Sequence, residues 1–252
     1  MLKFYPVVSA HLKCDKLLSD IENLQASGLV THEIDLADVI LVIWGDWWML
    51  KSIKKFFKFK KPFLGINCGT LGFLLNNISS FDSLRSLTWR DFDVVEENLL
   101  KVSSDQKQDC VAVNDVIIWG SILDFGEFKI KGEKEQIEFL GTGAVISTPI
   151  GSTAYWLNLG WPVMPLKANI WWIAGIASKP FELKIIDPQK LNISWSSKYS
   201  FMVGVDWRQC RFDKIKSLDI APSEERFKLL FLKDQNFEVK RLKYASKKLH
   251  KC

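Results

Sequence analysis

Histidine is scarce in this chain of 252 residues. Only His11, His32 and His250 occur, all outside the stretch that carries the motifs below. That argues against a His-dependent catalytic triad or a His-ligated metal centre. Cysteine is almost as sparse. Cys14, Cys68, Cys110, Cys210 and Cys252 are scattered, odd in number and form no C-x-x-C pair. The pattern points to reduced thiols in a cytoplasm and against a thiolate zinc site, so no protein-ligated metal is expected. No apolar run approaches the roughly 18 residues of a membrane span, and Met1–Pro6 has no signal-peptide character. The expected setting is cytoplasmic, without membrane contact. Net charge is a modest +5, which gives no reason to expect a nucleic-acid partner. Much of the excess lies in two runs, Lys51 to Lys61 and Lys240 to Lys251. Each reads most simply as a solvated face or a tail. The first also follows directly on a Gly-Asp turn, where it could attract phosphates.

The length allows one or two domains. In the first third, helix-like and strand-like segments alternate. Asp15 to Ser27 places Leu17, Leu18, Ile21 and Leu24 at helical spacing, with Gly28 set to end the helix. Val39 to Ile43 is a continuous buried-strand run ending at Gly45-Asp46, Met49 to Lys60 can be helical, and Pro62 to Asn67 reads as the next strand. Such alternation implies a parallel sheet with its ligand crevice at the carboxyl ends of the strands, where Asp46 and Asn67 fall. From about residue 95 short strand candidates dominate: 99–102, 112–118, 128–131, 137–140, 144–147, 184–186, 191–195, 201–205 and 227–231. The expectation is an α/β fold with a Rossmann-like parallel-sheet domain over 1–93 and a mainly β, sandwich-like domain over 94–252. The C-terminal segment is free to return to the first domain.

Residues 141–162 read GTGAVISTPIGSTAYWLNLGWP. The apolar Ala144-Val-Ile146 delivers the chain into a turn of small hydroxylated residues shaped by Pro149 and Gly151, and a helix-like segment follows. A strand–turn–helix junction of this kind gathers backbone N–H groups, hydroxyls and one aromatic face, the donors and the flat ring that a nucleotide requires. Taken alone, it reads more simply as a Ser/Thr-rich turn.

Ser147 to Tyr155, STPIGSTAY, resembles the STPTGSTAY segment of NAD kinases. Trp44-Gly-Asp-Trp47 with Met49-Leu50 is similar to that family's GGDG-x-x-L, and Gly65 to Leu74, GINCGTLGFL, to its G-x-N-x-G-x-LGFL. Val113-Asn-Asp-Val116 resembles its N-E-x motif and Val205-Asp-Trp-Arg-Gln209 its late DG-x-Q segment. The matches keep the family's order over roughly residues 38–210. The resemblance implies an α/β domain and a β-sandwich-like domain with nucleotide between them, phosphorylation of NAD to NADP by ATP or polyphosphate with Mg²⁺ or another divalent cation, and homodimers or homotetramers. The GGDG turn is shared with diacylglycerol and sphingosine-type lipid kinases. A lipid kinase therefore remains a second reading, and a non-catalytic NAD-binding pseudoenzyme a third.

In this light Asp46 is the expected general base on the 2′-hydroxyl of the adenosine ribose; otherwise it would cap the following helix. Gly45 and Lys51 are the expected phosphate contacts. Asn67, Gly69, Gly72 and Phe73, with Gly65, bring backbone close to the pyrophosphate. Asn114 and Asp115 stand for the family's Asn-Glu pair on ribose and adenine edges, with one methylene fewer. Thr153, Ala154 and Tyr155 take the base-contacting positions, and Asn158 follows on the same segment. Two departures stand out. Thr142, between Gly141 and Gly143, replaces an Asp and loses its charge on the nicotinamide side. Ile176-Ala-Ser-Lys-Pro180 replaces a Pro-His-Ser-rich loop.

Eleven Trp stand against four Tyr, although Trp has a single standard codon. Trp44 and Trp47 replace the outer glycines of GGDG, Trp161 a glycine of GGP, and Trp207 the glycine of DG-x-Q; Trp47-Trp48 and Trp171-Trp172 are tandem. A non-glycine residue at a left-handed position costs roughly 1–2 kcal/mol, and an indole would fill space that phosphates need. Some genetic codes read UGA as glycine. On that reading Trp44, Trp47, Trp48, Trp156, Trp161 and Trp207 are candidate glycines in the native protein, whereas Trp89 and Trp195 suit either reading.

Overall fold

The computed structural model describes residues 1–9, 15–69, 71–120, 124–198, 201–206 and 209–249, with side chains for all but 15–18 and 244–249. The chain divides into two compact units, Met1–Glu97 with Glu225–Tyr244, and Asn98–Glu224 with Ala245–Cys252.

The first unit opens with β1 (Phe4–Val8), α1 (Asp15–Ala26), β2 (Val39–Trp44), α2 (Asp46–Phe56) and β3 (Phe63–Asn67). β1 pairs in parallel with β2, and β2 with β3. Val39 to Ile43 are wholly buried, as expected of a parallel strand covered on both faces. β1 was hidden in the sequence by Pro6. It stands at the sheet edge, where a missing N–H is tolerated. Gly28 ends α1 as its pattern predicts, with φ +73° and its N–H donated to the Gln25 carbonyl at 2.9 Å. The helix expected over Met49–Lys60 begins earlier, with Gly45 as N-cap. It tightens to a 3-10 turn over Phe57–Phe59 and stops at Lys60, whose φ is +55°.

The second unit is built from β4 (Phe92–Ser104), β5 (Asp109–Ala112), β6 (Asp115–Trp119), β7 (Gly126–Lys131), β8 (Gln136–Gly141), β9 (Gly143–Ser147), α3 (Tyr155–Asn158), β10 (Trp171–Ile176), β11 (Leu183–Ile186), β12 (Leu191–Ser196), β13 (Met202–Val205), β14 (Cys210–Asp213) and the first half of β15 (Ser217–Leu232). β4 starts in the first unit and β15 ends there. One antiparallel sheet runs β11-β10-β9-β6-β13-β14. The other joins β15, β12, β7 and β8 with the β4–β5 hairpin. Val116, Ile118, Ala144, Ile146 and Ile173 of the first sheet share one core with Phe128, Ile130, Ile137, Phe139 and Ile193 of the second. Because side chains alternate along a strand, Ile117, Val145, Trp172 and Ala174 point the other way, where Trp156 and Met164 cover them. That double burial explains the unbroken apolar run 144–146. Two sequence expectations shift here. The strand expected over 112–118 breaks at Val113-Asn114, and the helix-like segment after the GSTAY turn is a single turn, α3.

From Glu225 to Tyr244 the chain belongs to the first unit again. Leu229 and Leu230 of β15 pair in parallel with Phe63 and Leu64. Asn76 fastens this return: its Nδ2 donates to the carbonyls of Gly65 (3.1 Å) and Leu230 (2.9 Å), and its Oδ1 accepts from the Leu232 N–H (2.8 Å). Helix α4 (Phe237–Leu249) follows. The fold is thus α/β, a helix-flanked parallel sheet followed by antiparallel sheets packed face to face. No helix of the described residues is long and apolar enough to cross a membrane.

Candidate functional site

In the first unit the conspicuous group is Asp46. It is the first residue of α2, directly beyond the carboxyl end of β2, yet its carboxylate does not cap that helix. Oδ2 accepts the Phe73 N–H and Oδ1 the Leu74 N–H, both at 2.9 Å. Each oxygen keeps acceptor capacity for a further donor. Burial pushes the Asp46 pKa up, against the two N–H bonds and the positive charges of Lys240 and Arg241. The strand-end loop is built tightly around it. Asn67 Oδ1 accepts the Gly69 N–H at 3.0 Å, and Asn67 Nδ2 donates to Asn77 Oδ1 at 3.0 Å. A Cβ on Gly72 would lie 2.9 Å from Asn67 Cγ, and one on Gly65 would lie 2.5 Å from Met49 Cε. Asn67 is held by its two hydrogen bonds, so packing demands the glycine at 72, whereas the Met49 end beside Gly65 is flexible.

The second unit gathers another cluster at the start of β6 and the end of β9. The carboxylate of Asp206, wholly buried, accepts from the backbone N–H groups of Val113 (2.9 Å) and Asn114 (2.7 Å), with Asp115 N–H at 3.4 Å. Thr148 grips the other side of this turn, its hydroxyl donating to the Val113 carbonyl at 2.8 Å and its N–H to the Asn114 carbonyl at 2.9 Å. The Gly151 N–H donates back to Thr148 Oγ1 at 3.2 Å. Asn114 is buried and its Oδ1 has no partner among the described residues, an acceptor left for a ligand. The Tyr155 phenol is pushed up by burial and by the Asp115 charge, which places ring and carboxylate as neighbours. Thr153 and Ala154 are half-buried beside them, and Asn158 is exposed. Thr142 enters β9 from its opposite end, about 17 Å away at the rise of a strand. Its hydroxyl donates to the Ile176 carbonyl at 3.2 Å.

Each unit therefore assembles its own share of the expected residues: Gly45, Asp46, Asn67, Gly69, Gly72 and Phe73 in one, Asn114, Asp115, Thr153, Ala154 and Tyr155 in the other. Lys51 lies over the rings of Trp47 and Trp48 at 5.0 and 5.3 Å, so two indoles engage the ammonium expected to meet phosphate. None of Trp44, Trp47, Trp48, Trp156 or Trp161 has a positive φ, so the left-handed strain expected of replaced glycines is not found there. Trp156 is wholly buried and stacks on Trp161 at 5.4 Å. Trp207, Thr70, His11, His250, Cys14 and Cys252 lie outside the described residues. Sequence reasoning assigned no role to Asp206 or Thr148, although both sit inside matched motifs. It also took the run beginning at Lys240 for a solvated face or a tail. Lys240 is half-buried and Arg241 fully buried. The available signal was Phe237, one helical turn before Arg241, marking an inward face.

No protein-family model matches the chain. An NAD kinase of Rickettsia prowazekii is 29% identical over 222 residues, 84% of this chain and 86% of that protein. An NAD kinase of Rickettsia bellii is 29% identical over 240 residues, 90% and 92% of the two chains. Among solved structures, an Archaeoglobus fulgidus NAD kinase in complex with ATP superposes with a TM-score of 0.73 at 19% identity, covering all of both chains. A yeast NADH kinase complexed with NADH gives 0.76 at 14% identity, over 98% of this chain and 88% of that one. With the motifs in that family's order and the fold in agreement, the chain is similar to NAD kinases in both sequence and architecture.

Proposed function

We propose that this protein transfers a phosphoryl group from ATP or polyphosphate to the 2′-hydroxyl of the adenosine ribose of NAD, producing NADP. The observation that carries the reading is the Asp46 carboxylate, half-buried at a strand tip and held by two backbone N–H groups with acceptor capacity to spare. Even with a raised pKa, a carboxylate is far too weak to ionise a sugar hydroxyl in advance. Its action comes late, as the phosphoryl group passes through a loose, metaphosphate-like state and the attacking hydroxyl becomes acidic. Asp46 then accepts that proton, while alignment supplies most of the acceleration.

Asn114 and Asp115 hold ribose and adenine edges, Tyr155 with Thr153 and Ala154 meets the base, and Thr142 serves the nicotinamide side. Gly45 and Lys51 serve the phosphates, and Asn67, Gly69, Gly72 and Phe73 shape the pyrophosphate loop. A divalent cation such as Mg²⁺ would neutralise charge on the transferred phosphates and enter as part of that substrate. Among the described residues no group of three His, Cys, Asp or Glu is placed to hold a metal ion. Cytoplasmic location and self-association into dimers or tetramers belong to the same proposal. The test is NADP formation from NAD with ATP or polyphosphate, with diacylglycerol and sphingosine offered in parallel. NADP formation that Asp46→Asn abolishes while NAD binding persists supports the reading. Turnover retained in Asp46→Asn removes Asp46 from its role, and phosphorylation of a lipid instead of NAD overturns the assignment.

A further inference from the structure

Lys240, on α4, donates its ammonium to the carbonyl oxygen of Gly72 at 3.0 Å. The same peptide group ends in the Phe73 N–H, which donates to Asp46 Oδ2 at 2.9 Å. One peptide plane thus joins a cation to a carboxylate, its oxygen facing the ammonium and its N–H facing the anion. A peptide polarised at its oxygen is a stronger donor at its nitrogen, so the two bonds reinforce each other where water is scarce. The plane has little freedom to tilt, because Gly72 packs on Asn67 and the next N–H, that of Leu74, is also bound to Asp46.

We infer that Lys240 is a positioning residue for Asp46, acting through the Gly72–Phe73 peptide to hold the carboxylate in one orientation and anionic. The inference rests on Asp46 being the proton acceptor proposed above. It requires no proton transfer along the peptide. The charged groups bearing on Asp46 are Lys240 and the buried Arg241, and Glu238 in turn faces Arg241. Burial raises the Asp46 pKa and Lys240 opposes that rise. Loss of the ammonium therefore moves the pKa further up.

The experiment uses the full chain with Lys240→Met, Lys240→Gln and Lys240→Arg. It reads kcat and KM for NAD against pH, and titrates ¹³C-labelled aspartate carboxylates by NMR. The Asp46 resonance is identified by its loss in Asp46→Asn. In Lys240→Met the acid limb of kcat and the Asp46 titration should both move to higher pH. For one pKa unit, kcat would fall about tenfold at a pH below the limb, while KM for NAD changes little. Lys240→Arg should restore both, and Lys240→Gln, which keeps a donor without charge, should not. If the Met variant fails to fold, the Gln variant carries the test. An unmoved titration and acid limb overturn the inference, as does a uniform loss of kcat at all pH values. If the parent forms no NADP yet the titration moves, the positioning stands and the kinase reading falls.

Discussion

The carbonyl oxygen of Asn114 lies 2.2 Å from the place a Cβ on Gly151 would occupy. Neither side can yield easily. The carbonyl is backbone already bound by Thr148, and Gly151 is itself tied to the Thr148 hydroxyl. Gly151→Ala should therefore destabilise the protein by about 1–3 kcal/mol, the range for overpacking a well-filled site, and weaken NAD binding more than Ser152→Ala does. Denaturant unfolding with parallel NAD titration checks both. An unchanged midpoint and affinity would show that the turn can open without harm.

Asp206 gathers the N–H groups of one turn on a single carboxylate and is wholly buried. Replacement by Asn leaves one acceptor oxygen and points an amide donor at donors. A loss of about 1.5–3 kcal/mol is expected, the value of a hydrogen bond to a charged group. Since the turn carries Asn114 and Asp115, the kinetic effect should fall chiefly on KM for NAD. A loss confined to kcat would place Asp206 elsewhere in the reaction.

Burial raises the pKa of Glu97 to about 7, against the opposing charge of Arg226. A carboxyl raised in the folded state favours folding fully below its unfolded pKa. That contribution is lost as pH rises through about 7. Glu97→Gln should accordingly stabilise the protein relative to the parent at pH 8, with the advantage shrinking towards pH 5. Unfolding midpoints of the two proteins across that range give the answer; a pH-independent difference would count against it.

The tryptophans allow a test at two levels. UGA codons at Trp44, Trp47, Trp161 and Trp207, with glycine masses in the peptides of the native protein, would assign glycine there, and UGG codons would end that reading. In the polypeptide, Trp47→Gly with Trp48→Gly removes both rings from beneath Lys51. The freed ammonium should lower KM for the phosphate donor severalfold, an effect that Lys51→Met in the same background reverses. An unaltered KM would mean that Lys51 does not serve the donor.

Much of the first unit was readable because parallel strands buried on both faces leave continuous apolar runs, as Val39 to Ile43 does. The Gly-Asp turn and Gly28 are punctuation of the same local kind. What escaped depends on partners distant in sequence. Nothing near Asp206 reveals that it faces residues 113–115, about ninety positions earlier. Lys240 and Arg241 look like members of a basic tail until α4 is placed in the unit that carries Asp46. Trp171 to Ile176 was overlooked as a strand because tandem tryptophans obscure its alternation, although Trp171 and Ile173 face one core and Trp172 the other.

The Asn76 clasp on residues 230–232 has a consequence for biosynthesis. A nascent chain cannot complete the sheet beside Asp46 until residues 230–232 have left the ribosome, so that unit matures late although most of it is translated first. A premature stop near residue 225 would spare every recognised motif and still leave the Asp46 carboxylate on an unfinished scaffold.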